Sequence, residues 1–499
     1  MNKLIAKNTL YLYFRMLISM GVGLYTSRVV LATLGVEDYG VYNVVGGMVF
    51  MLSFLNVSMS GATSRFLTFA LGKNDKAEFQ KMFSAALTIH ILIAFIILVL
   101  AETAGLWFFE NKIVIAPDRM NAARIVYQLS IISTMATIIQ APYNAAIIAY
   151  EQMNVYAYIE ILSVCLKLSI VFLLIVAHWD KLILYAFLML LVSFLIAITY
   201  GIFCVKRFKN CRYQYEWNKN VIYPMLTFTG WSAFGCVAHM GTTQGINILL
   251  NLFFGTVINA AYGIAAQVNG AITSFVSNFQ TAVNPQIVKL YAAGKMNDLY
   301  NLMFENAKFS FSLMWLLLLP LSLRLETVLH VWLVEVPEHA VLFCRLALVQ
   351  SLIVCVQRPF VMAILATGKI RLFQMSVGTV LLSVLPISYF FLKAGMTPHT
   401  VFLICIGASV VELLLELYLL KKWINLSLVA LSKTILIPIF LIITCTLPTA
   451  IWVNHYCSFI LTTLISGLSI CIAAYFIVFT TETRTKAIHY IKYKVAQRF

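Results

Sequence analysis

The sequence predicts an all-α polytopic membrane protein of about 14 transmembrane helices, arranged as two parallel six-helix repeats plus two extra C-terminal helices. Three observations predict it: an apolar composition broken into membrane-length runs, a one-sided distribution of basic connections, and an internal repeat. Of the 499 residues, 62% are hydrophobic and 11% charged, with mean hydropathy +0.91. Soluble domains carry about 25% charged residues. Apolar runs of roughly 18 residues or more, the length that crosses hydrocarbon as a helix, recur from Leu10 almost to Thr480. No polar stretch reaches the ~50 residues of a separate soluble domain.

The spans, in order, run about 10–34, 40–70, 82–107, 121–149, 155–177, 182–205, 222–253, 258–288, 303–333, 340–367, 372–392, 399–420, 433–453 and 458–480. They read as helices, because only helices and closed barrels satisfy the backbone in lipid and the runs lack the period-2 alternation of barrel strands. The first follows a short basic start (Lys3, Lys7) and is too long for a signal-peptide core, so it reads as an uncleaved span.

Alternate connections must fall on opposite sides, and the charges sort accordingly. Twenty-two of the 35 Lys and Arg lie on one side: the N-terminus, 71–81, 206–221, Lys289 with Lys295, Lys369 with Arg371, Lys421 to Lys433, and the tail. The opposite connections hold only Lys112, Arg119, Lys181 and Lys393. The positive-inside rule then makes the first side cytoplasmic, with both termini inside. In the tail, Ile488, Ile491, Val495 and Phe499 recur at helical spacing among Lys492, Lys494 and Arg498, a pattern suited to a helix on an anionic leaflet. A net charge of +16 distributed in this way points to membrane topology and excludes nucleic acid as the partner.

The repeat is collinear. Tyr39-Gly40 recurs as Tyr262-Gly263, Leu71-Gly72-Lys73 as Ala293-Gly294-Lys295, and Met82-Phe83 as Met303-Phe304. QAPYNAAIIA from Gln140 recurs as QRPFVMAILA from Gln357. Six spans return the chain to its starting side, so the copies share an orientation, as in transporters that rock two halves about a central site. The expected organisation is an N-lobe at 1–210 (spans one to six), a C-lobe at 211–425 (spans seven to twelve), and two further helices with a basic cytoplasmic tail at 426–499. Pro142 and Pro359 stand at equivalent places and are candidate hinges, since proline removes a helix hydrogen bond.

Charges inside spans are the functional candidates, because a cation in mid-membrane costs about 2.5–3.5 kcal/mol on insertion scales and faces a bundle interior or an aqueous cavity. Arg124, Lys308 and Arg324 lie near span ends and are expected to snorkel to the headgroups. Arg15, Arg28, Lys167, Arg345 and Arg358 lie deeper, with Arg65 nearer the cytoplasmic end of the second span, and all six are candidates for a cationic, anion-binding cavity. Glu160, two turns from Lys167 on one face, is either a structural partner of that lysine or a protonatable coupling group. Glu412 is a second coupling candidate, while Glu416 is expected to reach the Lys421–Lys422 end. His90 and His239 read as packing residues. Gln244, Asn247 and Asn251 share a helical face and either bond neighbouring helices or form a polar cavity wall. The ten cysteines form no CxxC pair, and Cys165, Cys236, Cys355 and Cys405 read as buried thiols rather than metal ligands.

The run SRVVLATLGVEDYGVYNVVGGMV, followed by LSFLNVSMSGATSRF, resembles the opening helices of the polysaccharide-transporter branch of the multidrug/oligosaccharidyl-lipid/polysaccharide flippase superfamily. The LG-x-x-x-YG-x-Y turn (Leu34 to Tyr42) is the most specific part of the resemblance, and Arg28 looks like the family's common first-helix arginine. The resemblance implies lobes of the MATE type in the bacterial inner membrane. It implies a flippase that moves polyprenyl-pyrophosphate-linked oligosaccharide by alternating access for O-antigen, capsule or exopolysaccharide. Its partners would be the lipid-linked oligosaccharide, membrane lipids and other polysaccharide assembly proteins. No cofactor is expected beyond H+ or Na+ coupling, and no metal or catalytic residue. The rival within the fold is a MATE-type exporter of organic cations, whose cavity would favour acidic residues, whereas here interior cations outnumber interior acids. A membrane enzyme of polysaccharide polymerisation is the remaining alternative. The opposite-side connections are short, carry no paired carboxylates suited to sugar chemistry, and are accompanied by no phosphate-cradling glycine loop.

Overall fold

The computed structural model describes residues 3–478 apart from 52–53, 114, 177, 216–217, 334 and 457–458, and every regular element among them is helical. The first half runs α1 (Lys3–Met51), α2 (Phe54–Gly72), α3 (Lys76–Leu100), α4 (Leu106–Lys112), α5 (Met120–Ala149), α6 (Met153–Val176) and α7 (Lys181–Arg207). The second half runs α8 (Lys219–Phe254), α9 (Thr256–Ala292), α10 (Met296–Leu323), α11 (Leu325–Trp332), α12 (Ala340–Thr367), α13 (Ile370–Lys393) and α14 (Thr400–Ile424). Helices α3 to α7 therefore have counterparts in α10 to α14, and the stretch of α1 and α2 corresponds to that of α8 and α9. A single turn, α15 (Leu428–Leu431), leads to α16 (Ile437–Tyr456) and α17 (Phe459–Ile477), the two helices outside the repeat.

Among the described residues, eleven helices are long and apolar enough to cross a membrane. The described residues of the remaining predicted spans are helical as well: 40–70 falls on the end of α1 and on α2, 258–288 on α9, and 458–480 on α17. The first carries Arg65 among several hydroxyls, α9 is rich in amides, and α17 is short. The amphipathic tail predicted from Ile488 lies outside the described residues, as do the charges that follow Val478.

The repeat is visible in backbone geometry. At the acidic turn expected between the first two spans, two helical stretches of α1 meet at a kink formed by one residue, Gly35 (φ 82°, ψ 167°). Its counterpart Gly255 (φ 81°, ψ −167°) separates α8 from α9. That region of φ/ψ space is essentially closed to residues with a Cβ. Helix α2 ends with the N–H groups of Lys73, Asn74 and Asp75 donating to the carbonyls of Phe69, Leu71 and Ala70. Helix α9 ends with Ala293, Gly294 and Lys295 donating in the same order to Lys289, Tyr291 and Leu290. Asn74 and Gly294 both take a left-handed φ, of 58° and 69°. Glu151 after α5 and Gly368 after α12 repeat the device, at φ 58° and 77°.

The chain divides into two compact units, Ala6–Cys236 in one and Val237 onward with the first five residues in the other. The division falls within α8 rather than in the 206–221 connection, because the first turns of α8 pack on α2. Phe228 meets Phe66 edge to face at 5.7 Å, and the Thr229 hydroxyl lies 2.9 Å from Met59 Sδ.

The core of the first unit is aliphatic with an aromatic spine. Phe79 packs on Tyr150 (5.2 Å), Phe83 on Tyr143 (5.3 Å), and Tyr150 stacks on Phe208 (4.1 Å). Helices α5 and α7 are joined by a 2.7 Å hydrogen bond between the Ser133 and Ser193 hydroxyls, the kind of small-residue contact that lets helices approach closely in lipid. In the second unit Phe402 packs on Phe343 (4.7 Å) and Tyr262 (6.0 Å). Helices α16 and α17 pack on each other and on α10, where Trp315 Nε1 donates to Thr446 Oγ1 at 2.9 Å.

Proline 359 illustrates how the fold repairs its own defects. It leaves the Cys355 carbonyl, four residues back in α12, without its helical donor. Gln280 of α9 supplies one, with Nε2 2.8 Å from that oxygen and 2.9 Å from Ser310 Oγ of α10. The gap this proline opens in the hydrogen-bond ladder of α12 is therefore filled by a side chain. Pro142 is likewise buried within α5.

Candidate functional site

The LGVEDYG turn owes its shape to charge as well as to Gly35. Asp38 accepts a forked pair of bonds from Arg119, from Nε at 2.8 Å and Nη2 at 2.6 Å. Nη1 of the same guanidinium reaches Asp180 at 2.7 Å. Arg119 caps α5 and Asp180 caps α7, where it also accepts from the backbone N–H groups of Leu182 and Ile183. One arginine thus fastens three connections of the first unit. Burial works against the Asp180 charge, but the bonds from Arg119 and the two N–H groups outweigh it and hold the carboxyl below its ordinary range. Bonding to Asp180 in turn raises the Arg119 guanidinium above its usual value. Sequence reading counted Arg119 only as a connection charge. The available signal was Asp180 directly before an apolar run, an N-cap position.

The second copy does not repeat this clamp. Its matching turn holds Ile258 and Asn259, and His339 caps α12 where Arg119 caps α5. In place of the clamp, the α8–α9 corner encloses an open cavity of about 470 Å³. Its lining comes from Thr243, Gln244 and Asn247 of α8 and from Thr256, Asn259, Ala260, Tyr262, Gly263 and Ala266 of α9. None of these groups is charged. Gln244 and Asn247 make no hydrogen bond among the described residues, and Asn259 Oδ1 is buried without a partner. Two of the three predicted amides therefore line a cavity. Asn251 is exposed on α8 outside that lining, with its carbonyl accepting the Gly255 N–H at 2.8 Å.

The predicted cations separate into held and open ones. Arg65 is only 7% exposed and sits against the rings of Phe69 (4.6 Å), Phe66 (4.7 Å) and Phe228 (5.9 Å), a desolvated cation–π cage. Arg15 donates from Nη1 to the Tyr156 hydroxyl at 2.7 Å. Arg345 Nε donates to the Ser322 carbonyl at 3.1 Å. Arg28 and Lys167 are exposed on α1 and α6 and engage no group among the described residues. Arg358 is exposed on α12. Of the three residues expected to snorkel, only Arg124 is exposed, paired with Glu110 at 2.8 Å. Lys308 is 6% exposed inside α10, and Arg324 bonds the Asn454 carbonyl at 2.7 Å.

The acids lie among specific neighbours. Glu160 does not bond Lys167; it accepts from the Tyr200 hydroxyl at 3.0 Å, one turn along α6 from Tyr156. Glu416 does not reach toward Lys421 and Lys422. It is 3% exposed on α14, near enough to Glu412 and to Arg358 of α12 to feel both charges. Sequence reading missed Tyr156 and Tyr200, which carry no positional signal of their own. His90, fully buried, bonds the Ala86 carbonyl through Nδ1 at 2.8 Å, as a packing histidine does. Among the described residues no three His, Cys, Asp or Glu stand together as metal ligands.

Solved structures with the same architecture are transporters. The chain is similar to a MATE protein in its straight conformation, at 14% identity and TM-score 0.73 over 86% of this chain and 97% of that one. It is similar to a MATE protein in its bent conformation, at 14% identity and TM-score 0.71 over 87% and 99%. A transporter of the MOP superfamily from Pyrococcus furiosus, described as having a binding pocket of reverse polarity, aligns at 14% identity and TM-score 0.70 over 86% and 97%. Identity this low establishes the fold alone. No curated protein sequence matches significantly. Residues 5–291, more than half the chain, match the family described as polysaccharide biosynthesis protein. With helical repeats, membrane-length helices and a MATE-type fold already in place, that match makes the chain a member of the polysaccharide biosynthesis protein family, within the MOP flippase superfamily of membrane transporters.

Proposed function

We propose that this transporter is a flippase for polyprenyl-pyrophosphate-linked oligosaccharide, working by alternating access in the bacterial inner membrane during surface-polysaccharide assembly. The observation that carries the reading is the chemistry of the α8–α9 cavity. Its free amides and hydroxyls offer both donors and acceptors, as sugar hydroxyls require, and it holds no carboxylate to attract an organic cation. The fold does not choose between the two substrate classes, and the Pyrococcus transporter is described as having a pocket of reverse polarity on the same scaffold. Open cations, Arg28 foremost, supply counter-charge for the pyrophosphate.

Deleting the gene in its host should abolish display of one surface polysaccharide and accumulate its lipid-linked precursor. Asn247→Leu and Arg28→Ala should each fail to restore display at normal expression, with Arg28→Lys restoring part of it. Intact display together with altered resistance to cationic dyes would identify a drug exporter instead.

A further inference from the structure

The α8–α9 cavity is chemically two-sided. Helix α8 packs one face on α13, where Thr242 Oγ1 donates to the Leu381 carbonyl at 2.9 Å and a Cβ at Gly245 would stand 2.6 Å from the Leu385 side chain. Thr243, Gln244 and Asn247 lie off that packed face and form the polar wall of the cavity. Helix α9 contributes a different surface, the strip of Ala260, Gly263 and Ala266, spaced one turn apart and all exposed. A Cβ built on Gly263 meets nothing within 4 Å, so the strip borders open space rather than a neighbouring helix.

A pyranose ring has the same division, with hydroxyls around its edge and C–H groups over its face. Side-chain amides donate and accept at once, so Gln244 and Asn247 each suit a pair of neighbouring hydroxyls. The small residues of α9 leave the C–H face an apolar surface to cover. Charge limits which sugar fits. From Asn220 to Val288 the chain holds no Asp, Glu, Lys or Arg, so neither helix brings a counter-charge to the cavity. The titratable side chains at hand are Tyr262, whose hydroxyl donates to the Thr243 carbonyl at 3.4 Å, and His239, whose Nδ1 lies 3.3 Å from the Thr243 hydroxyl. A carboxylate carried into such a site loses hydration without gaining an ionic partner.

We propose that the α8–α9 cavity is a subsite for an uncharged sugar, seated with its hydroxyl edge against Gln244 and Asn247 and its C–H face on the Ala260–Gly263–Ala266 strip, and closed to uronic acids. Gly263 sets the room available, because any side chain there would occupy the subsite. The inference deepens the flippase reading and rests on it for the origin of the sugar, as one unit of the lipid-linked glycan.

The test is saturation-transfer NMR on the full-length protein in phosphatidylcholine nanodiscs. The probes are the methyl glycosides of glucose, galactose and mannose, each beside the matching uronic acid glycoside, so that ring and stereochemistry are held while one charge changes. At least one neutral glycoside should bind tenfold or more tighter than its uronate. Gly263→Leu, which replaces a poor helix former with a good one, should weaken that binding at least tenfold with no loss of thermal stability. Gly263→Arg, which supplies the missing counter-charge, should move the preference at least tenfold toward the uronate. No binding of any neutral glycoside, uronates bound equally well, or Gly263→Leu binding as wild type overturns the proposal. The neutral-to-uronate ratio of wild type needs no substitution, so it decides even where a variant fails to fold. Glycan display is a separate readout: failure here leaves the flippase reading standing, and failure there leaves the preference of the cavity measurable.

Discussion

Arg119 shows what one side chain contributes when its geometry matches its partners. A guanidinium fork suits two carboxylates at once, which a lysine ammonium does not reproduce. The Asp180 carboxyl is held below the ordinary value of about 3.9. Its contribution to stability is therefore complete above that value and is lost as pH falls through the lower, folded one. Asp180→Asn keeps the helix cap while deleting the charge, and partly exposed pairs are worth about 0.2–1 kcal/mol. The variant should melt slightly below wild type at pH 7, with the gap closing below about pH 4. A gap that ignores pH would assign the effect to the cap. None of this was legible beforehand, because Asp38, Arg119 and Asp180 come from three connections far apart in sequence, and only folding brings them together. Arg65 makes the opposite point. Its misplaced charge was visible in the sequence, but not the ring of phenylalanines that accommodates it, one of which, Phe228, comes from another helix.

Among the elements, the helices themselves were readable because apolarity is local: most membrane-length runs became one helix near their expected bounds, while 40–70 and 303–333 are each divided between two. Their repairs were not readable. Pro359 announces a missing hydrogen bond, yet nothing in the sequence identifies Gln280, 79 positions away, as its replacement donor. Gln280→Leu should leave the Cys355 carbonyl and the Ser310 hydroxyl without this partner. Interhelical bonds in membranes average about 0.6 kcal/mol and reach about 1.7, so a buried carbonyl left bare should fall near the upper figure. Reversible unfolding in mixed micelles, compared with Gln280→Glu, measures it. An unchanged midpoint for Gln280→Leu would show that water replaces the amide. The amide face of α8 was legible as a pattern, with two readings open. The structure separates its members by where the helix ends: Gln244 and Asn247 border the cavity, while Asn251 lies beside the Gly255 break.

At the scale of the whole molecule, the duplication was legible from a handful of collinear matches, and the paired backbone angles now give it geometric form. The copies then diverged at equivalent corners, one closed by an ion triad and the other left as a neutral cavity. Sequence comparison alone could not see that contrast, since neither the triad nor the cavity is contiguous in the chain.

The duplication also works as an experiment already performed. At Gly35 and Gly255 both copies keep glycine, although a Cβ there would meet nothing within 4 Å, so backbone strain alone excludes other residues. At the left-handed helix ends the copies disagree: Asn74 stands opposite Gly294, and Glu151 opposite Gly368. One ancestral plan thus carries its own record of which turns tolerate a side chain. Exchanging residues between copies should follow that record: Gly294→Asn should shift the unfolding midpoint by less than about 1 kcal/mol. Gly255→Asn, placed where neither copy admits a side chain, should cost about 1–3 kcal/mol.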